Sequence, residues 1–235
     1  MGLTEAQRCG ITQRPLPMTW PSTAARARPP LRPLTRRSAS RGSQVCSDRP
    51  HHHVKGAEVS VWRNLNEHTV YENRWFRVNL ADVELPDGRH LDHFLIRQRA
   101  VALATAVNSE NEVLLLWRHR FITDSWGWEM AAGVVEDGED IEAAAAREME
   151  EETGWRPGPL QHLMTVEPAN GLADARHHLY WAETATHIGH PEDDFESERR
   201  EWVPLKRVPE LIAAGQIPAA NMAAGLLMLR HLRLG

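Results

Sequence analysis

Residues 58–100 alternate in part between apolar and polar positions, in short runs rich in β-branched and aromatic side chains. The runs at 59–62, 69–71, 75–83 and 90–97 read as strands. Pro86-Asp87-Gly88 supplies the turn that makes a hairpin of the last two. Residues 100–107 and 112–117 form a second strand pair around Asn108–Asn111, and 126–132 is a further strand leading into a glycine-bearing loop at 133–139. The period then changes. Ile141–Thr153 reads as a helix, with Asp140 at its N-cap and Gly154 where a terminating glycine belongs. Leu160–Val166 and 178–183 return to strand, 186–199 is an acidic loop, and 205–214 and 219–232 close the chain as helices. Strands interrupted by a few helices predict an α/β (α+β) domain with a mixed sheet.

Composition adds a division. The 235 residues are 42% hydrophobic and 25% charged, with a net charge of −5, which excludes a collagen-like, fully disordered or disulfide-scaffold chain. Residues 1–50 hold nine arginines, no lysine and two acids, a surplus of about +7, so the remainder is close to −12. The prolines of this head break any apolar period, so residues 1–54 are expected to be a disordered basic tail, either dispensable or a targeting segment. The histidines at 51–53 are read as incidental rather than as metal ligands. Both cysteines, Cys9 and Cys46, lie in the head, which leaves the body without a cysteine nucleophile or a cysteine-based zinc site. No apolar run approaches the ~18 residues of a membrane span, and no signal-like apolar stretch opens the chain. The expectation is a cytoplasmic protein with no membrane partner, and its acidic body argues against nucleic acid.

The chemistry concentrates between Gly133 and Trp155. On a helix over Ile141–Thr153, Glu148, Glu151 and Glu152 stand at i, i+3 and i+4 and share one face. Such carboxylates repel one another unless a cation neutralises them, and oxygen-only donors suit Mg²⁺ or Mn²⁺. A solvated acidic helix end is the plain alternative. It fits poorly with the helix dipole, which disfavours acids near the C-terminus. Arg147 is placed to brace one carboxylate.

The same segment matches Gly-x5-Glu-x7-Arg-Glu-U-x-Glu-Glu-x-Gly-U, where U is a bulky apolar residue, at every fixed position. It therefore resembles the box of the Nudix hydrolases. That resemblance implies a Nudix α/β/α sandwich with a mixed sheet, and hydrolysis of a nucleoside diphosphate linked to another moiety. It implies Glu148, Glu151 and Glu152 as metal ligands, joined by the carbonyl of Ala132, with Glu152 also counted as catalytic.

Beyond the box the chain is similar to the ADP-ribose/ADP-sugar pyrophosphatase branch, in which a small N-terminal antiparallel β-subdomain (here 55–99) precedes the hydrolase domain (100–235) and is exchanged in a homodimer. Trp117-Arg118-His119-Arg120-Phe121 stands where that branch has Gln-aromatic-Arg, so Arg120 inherits the phosphate contact while Arg118 and His119 depart from the usual flanks. Trp128-Glu129-Met130-Ala131-Ala132-Gly133 resembles the entry to the box and puts Trp128 and Glu129 beside the substrate. Glu196 to Leu205 resembles the acidic catalytic loop, with Glu198 as base and Glu196 as its alternative. Gly171 fits the glycine of the branch's Ser-Pro-Gly, but Asn170 replaces the proline, which leaves the base and sugar preference open. The substrate expected is ADP-ribose or an ADP-sugar, with ADP-ribose giving AMP and ribose 5-phosphate.

The remaining readings are plainer. Trp126 and Trp128 stack on a nucleobase or pack in the core. Arg97 and Arg99 are surface residues, and His177 and His178 alternate across a strand as packing residues. The competing functions are a Nudix-fold sensor without turnover, which the intact box disfavours, and a diphosphate isomerase, which the missing cysteine disfavours. A nucleoside-triphosphate hydrolase is disfavoured by the extra N-terminal strands.

Overall fold

A computed structural model describes residues 61–191 and 197–235, all within one compact unit, Gly56–Gly235. The expectations for the basic head, for the histidines at 51–53, for the start of the 59–62 strand and for Glu196 lie outside the described residues. Among the described residues, no helix is long and apolar enough to cross a membrane.

Three antiparallel strands come first, β1 (Arg63–Glu72), β2 (Phe76–Glu84) and β3 (His90–Gln98), in the order β1-β2-β3. The strand expected at 69–71 is the end of ten-residue β1. Its other half leaves no signal in the sequence because almost every β1 side chain is exposed, so no buried face imposes an alternation. Residues 61 and 62 are not strand. The β2–β3 turn forms as expected, with Gly88 at φ 80° and its N–H on the Leu85 carbonyl at 2.9 Å.

Next come β4 (Val101–Ala106), β5 (Glu112–Arg120), β6 (Ser125–Glu129), β7 (Ala131–Val134), α1 (Ile141–Thr153), β8 (Trp155–Pro157), β9 (Leu160–Val166) and β10 (His177–Ala182). β11 (Ala185–His187), β12 (Arg199–Pro204), a 3-10 turn at Leu205–Arg207, α2 (Val208–Ala213) and α3 (Ala220–Leu234) complete the chain. One sheet has the order β7-β4-β10-β9 and another β12-β5-β6, while β8 and β11 form a separate pair. β10 runs parallel to β4 and antiparallel to β9, so the sheet is mixed.

The pleat sorts side chains into two layers. Ala102, Ala104 and Ala106 of β4, with Leu114 and Leu116 of β5, pack with Ala144, Ala145 and Met149 of α1. Their alternates Leu103, Val113 and Leu115 pack with Leu211 of α2 and Met222, Leu226 and Leu229 of α3. Helices on both faces make the α/β/α sandwich. The alanines let α1 lie close. On the opposite face Gly225 does the same, since a Cβ there would stand 2.3 Å from Leu179 Cδ2.

Several expected boundaries are corrected. The strand at 126–132 is two strands in different sheets, with Met130 fully buried at the break. β6 pairs with β5, and then the chain crosses to pair with β4. The glycine-bearing loop begins later than expected, because Gly133 and Val134 belong to β7. The acidic stretch at 186–199 begins in β11 and ends in β12. The helix expected at 205–214 is the 3-10 turn followed by short α2, with Pro209 in its first turn.

Candidate active site

Helix α1 sets the site. The Asp140 carboxylate accepts the N–H groups of Glu142 and Ala143 at 3.0 and 3.1 Å, a cap of about 1 kcal/mol. At the other end Gly154 has φ 73° and donates to the Glu150 carbonyl. A Cβ at Gly154 would meet the Gly189 carbonyl at 2.3 Å, so conformation and space both demand glycine. With Ala144, Ala145 and Met149 fixed in the core, the helix must present Glu148, Glu151 and Glu152 together along its edge.

Arg147 gathers the acids of the box. Its Nε reaches Glu139 Oε1 at 2.9 Å, and its Nη1 reaches Glu148 Oε1 at 2.7 Å and Glu151 Oε2 at 3.0 Å. The guanidinium holds the Glu139 carboxyl down at about 2. Burial pushes Glu148 above the usual carboxylate range, because the pull of Arg147 offsets only part of its desolvation.

Glu152 is held differently. It is 5% exposed, and its Oε2 accepts the Ala132 N–H at 3.0 Å while its Oε1 pairs with Arg118 Nη2 at 2.9 Å. Burial still dominates, and the carboxyl is pushed up to about 7. Arg118, itself 3% exposed, also donates to the Ser197 hydroxyl from Nε and Nη2. The next residue, Glu198, is exposed and anchored by its N–H on the Trp117 carbonyl at 2.9 Å.

The donor chemistry fits a hard divalent ion. The acids of the helix face offer oxygen alone, two of them are pushed towards protonation by burial, and the backbone of Ala132 lies against one of them. Gly133 leaves a cradle for Glu148, since a Cβ there would stand 2.0 Å from that carboxylate. As they stand, no three acidic or histidine side chains among the described residues converge as a ligand set. Two arginines hold the carboxylates instead.

Arg120 and Glu129 come together on adjacent strands, with Arg120 Nε donating to Glu129 Oε1 at 3.0 Å and Nη2 bound to Oε2. Both line a cavity of about 520 Å³ together with Ala132 and Gly133 of the box strand. His177, Asn221 and Met222 line it too, and sequence reading missed all three as site residues. His177 Nδ1 and Asn221 Nδ2 are 2.9 Å apart across 44 residues of sequence, a separation that leaves no local pattern. Burial lowers the His177 pKa, and His178 adds to the shift.

Trp128 is 6% exposed in the core, tilted against Trp117 at 5.0 Å, whereas Trp126 is 45% exposed and stacks on Trp117 at 6.2 Å. Gly171 lines a different cavity, of about 600 Å³, with His93, Arg97 and Arg176. Arg97 is bound to Glu67 and Asp174, and Arg99 to Glu136.

These features have counterparts among known proteins. The NUDIX domain family matches residues 96–224, and the nucleoside diphosphate sugar hydrolase N-terminal domain matches 62–96. The chain is 39% identical over 166 residues to a CMP-5'-(N-acetyl-N-hydroxy-3-aminopropyl)phosphonate hydrolase of Streptomyces rubellomurinus, covering 71% of this chain and 81% of that protein. It is 27% identical over 151 residues to an ADP-ribose pyrophosphatase of Bacillus subtilis, covering 62% and 80%. The crystal structure of an ADP compounds hydrolase superposes with a TM-score of 0.66 at 21% identity, over 75% of this chain and 96% of the other. The box, the α/β/α frame that presents it and these matches agree: the chain belongs to the Nudix family of hydrolases and is an enzyme of its pyrophosphatase kind.

Proposed function

We propose that this enzyme hydrolyses the diphosphate bond of a nucleoside diphosphate linked to a sugar or comparable moiety, ADP-ribose or an ADP-sugar foremost, with Mg²⁺ or Mn²⁺. The observation that supports this best is the continuity of one place. The strand that cradles the Glu148 carboxylate also lines the cavity into which Arg120 and Glu129 face. An anion held there lies beside the acids.

Arg120 binds the diphosphate, and Glu129 fixes the angle of its guanidinium. Glu148, Glu151, Glu152 and the Ala132 carbonyl are the groups that would hold the divalent ion, which when bound offsets charge on the phosphoryl oxygens. A water oxygen attacks one phosphorus, the bridging P–O bond breaks, and the bridging oxygen leaves with the other phosphoryl group. The water's proton passes to a carboxylate, Glu198 first and Glu196 as the alternative. For ADP-ribose the products are AMP and ribose 5-phosphate. The contacts that the family resemblance carries to Trp128 and Gly171 are less direct, since Trp128 packs against Trp117 in the core and Gly171 lines the separate cavity beside Arg97 and Arg176.

The 39% identity to a CMP-linked phosphonate hydrolase favours a second reading, in which the preferred substrate is a CMP-linked phosphonate. Phosphate released after coupling to a phosphatase, across ADP-ribose, ADP-glucose, GDP-mannose, UDP-glucose, NADH, 8-oxo-dGTP and a CMP-linked phosphonate, separates the two. Turnover of none of them in Mg²⁺ or Mn²⁺ would leave the sensor reading standing.

A further inference from the structure

At the end of α1 the two sheets part. Ala132 lies in β7, in the sheet built on β4, while Arg118 lies in β5, in the other sheet. Glu152 reaches both, with one oxygen on the Ala132 N–H at 3.0 Å and the other on Arg118 at 2.9 Å. Arg118 follows Leu114 and Leu116 in the alternation of β5, so its side chain enters the α1 side of the strand, where it is 3% exposed. Among the described residues its partners are Glu152 and Ser197, both 5% exposed.

We infer that Arg118 is a positioning residue for the reaction: it fixes the Glu152 carboxylate between the sheets and ties it to Ser197, the neighbour of Glu198. The inference rests on reading Glu152 as a cation ligand. A planar guanidinium suits the task because its rigid fork can hold a carboxylate and a hydroxyl in one plane, which an ammonium cannot. Arg147 serves Glu148 and Glu151 in the same way from within the helix. The two arginines thus share out the three acids, and Arg118 links the carboxylate of one of them to the segment bearing Glu198, from which Arg200 also donates to the Glu152 backbone carbonyl at 2.8 Å. Groups that orient metal ligands typically change metal affinity or activity by about 10–100-fold when removed.

The test uses the full chain with Arg118→Gln, Arg118→Lys and Ser197→Ala. Binding of Mn²⁺ alone is read by electron paramagnetic resonance of the unbound ion, beside kcat and KM on the best substrate of the panel. Expected for Arg118→Gln is Mn²⁺ binding weakened about tenfold and kcat lowered about tenfold or more, with KM within about threefold. Arg118→Lys should recover part of both losses, since it keeps the charge. Ser197→Ala should lower kcat and leave Mn²⁺ binding as it was. Should Arg118→Gln fail to fold, the other two variants carry the test.

Unchanged Mn²⁺ binding and kcat in Arg118→Gln, with only a lower Tm, would overturn the inference and leave a structural ion pair. Tighter Mn²⁺ binding would overturn it as well, because Arg118 would then compete with the ion rather than orient its ligand. If the parent chain binds no Mn²⁺, the reading of the box fails first, and the two failures are told apart.

Discussion

The carboxylate of Glu148 lies against the α-carbon of Gly133, so closely that a Cβ on residue 133 would stand 2.0 Å from its Oε1. The glycine that opens the box is thus required by sterics across a helix–strand contact, not by turn geometry. Gly133 sits inside β7, and the atom it would strike is the far end of a flexible side chain. Gly133→Ala is therefore expected to fold, losing about 1–3 kcal/mol to overpacking, while pushing Glu148 out of place. Turnover should fall at least about tenfold. Urea unfolding and kcat on one preparation check both halves, and full activity in a folded Gly133→Ala would show that the cradle has no catalytic meaning.

Glu152 yields a prediction of opposite sign for stability and activity. Its folded pKa is about 7 against the ordinary 4.5, so the native state binds more protons than the unfolded chain between those values. In EDTA the parent should lose stability as pH rises from about 4.5 to 7 and level off above. Glu152→Gln should lack that decline, and near pH 8 it should be the more stable protein by at most about 3 kcal/mol. In Mg²⁺ the same variant should lose at least about 100-fold of turnover. A parental rate in Glu152→Gln would remove this residue from the site.

Much of this was legible in the sequence, and the exceptions have physical reasons. The bounds of α1, its Asp140 cap and its Gly154 stop could be read locally, because capping and helix period act within a few residues. The split at Met130 could not, since both halves of 126–132 look like strand and only tertiary pairing decides which sheet each joins. β1 was half missed because an exposed strand carries no buried alternation. Within the box, the shared helix face of Glu148, Glu151 and Glu152 is legible from spacing alone. Arg118 stood out only as a departure from a pattern, and its tie to Glu152 and Ser197 spans separations that no local signal covers.

The acid Glu67 makes an independent pH prediction. It accepts from Arg97 at 2.6 and 2.9 Å and from Asn79 at 2.6 Å, and Arg97 continues to Asp174 at 3.0 Å, so one network joins β1, β2, β3 and the loop before β10. The Arg97 and Asn79 hydrogen bonds bring its pKa down to about 2. A depressed carboxyl stabilises the fold above the unfolded value near 4.5, and the contribution is lost as pH falls towards 2. Glu67→Gln should cost about 1–2 kcal/mol at pH 7, a figure discounted for the partial exposure of the pair. The deficit should shrink steadily as the pH falls from 4.5. A deficit of the same size at pH 7 and pH 2.5 would assign it to lost packing instead.

Exposed aromatic residues in and beside the N-terminal strands lead to the last prediction. Trp62, Tyr71, Trp75 and Phe94 are each more than half exposed, at 59%, 55%, 54% and 57%. Scattered apolar residues are ordinary on a surface, but four exposed large aromatics in β1 and β3 and just before β1 and β2 favour a partner for this unit. A second copy of the chain is the partner proposed. Light scattering behind size-exclusion of residues 55–235 should give twice the monomer mass at micromolar concentration. Phe94→Glu combined with Trp75→Glu should shift the species to monomer while α1 and its acids remain folded, since neither residue belongs to the cores on the two faces of the sandwich. A monomeric parent at that concentration would end the dimer proposal, and the exposed aromatics would then need another occupant.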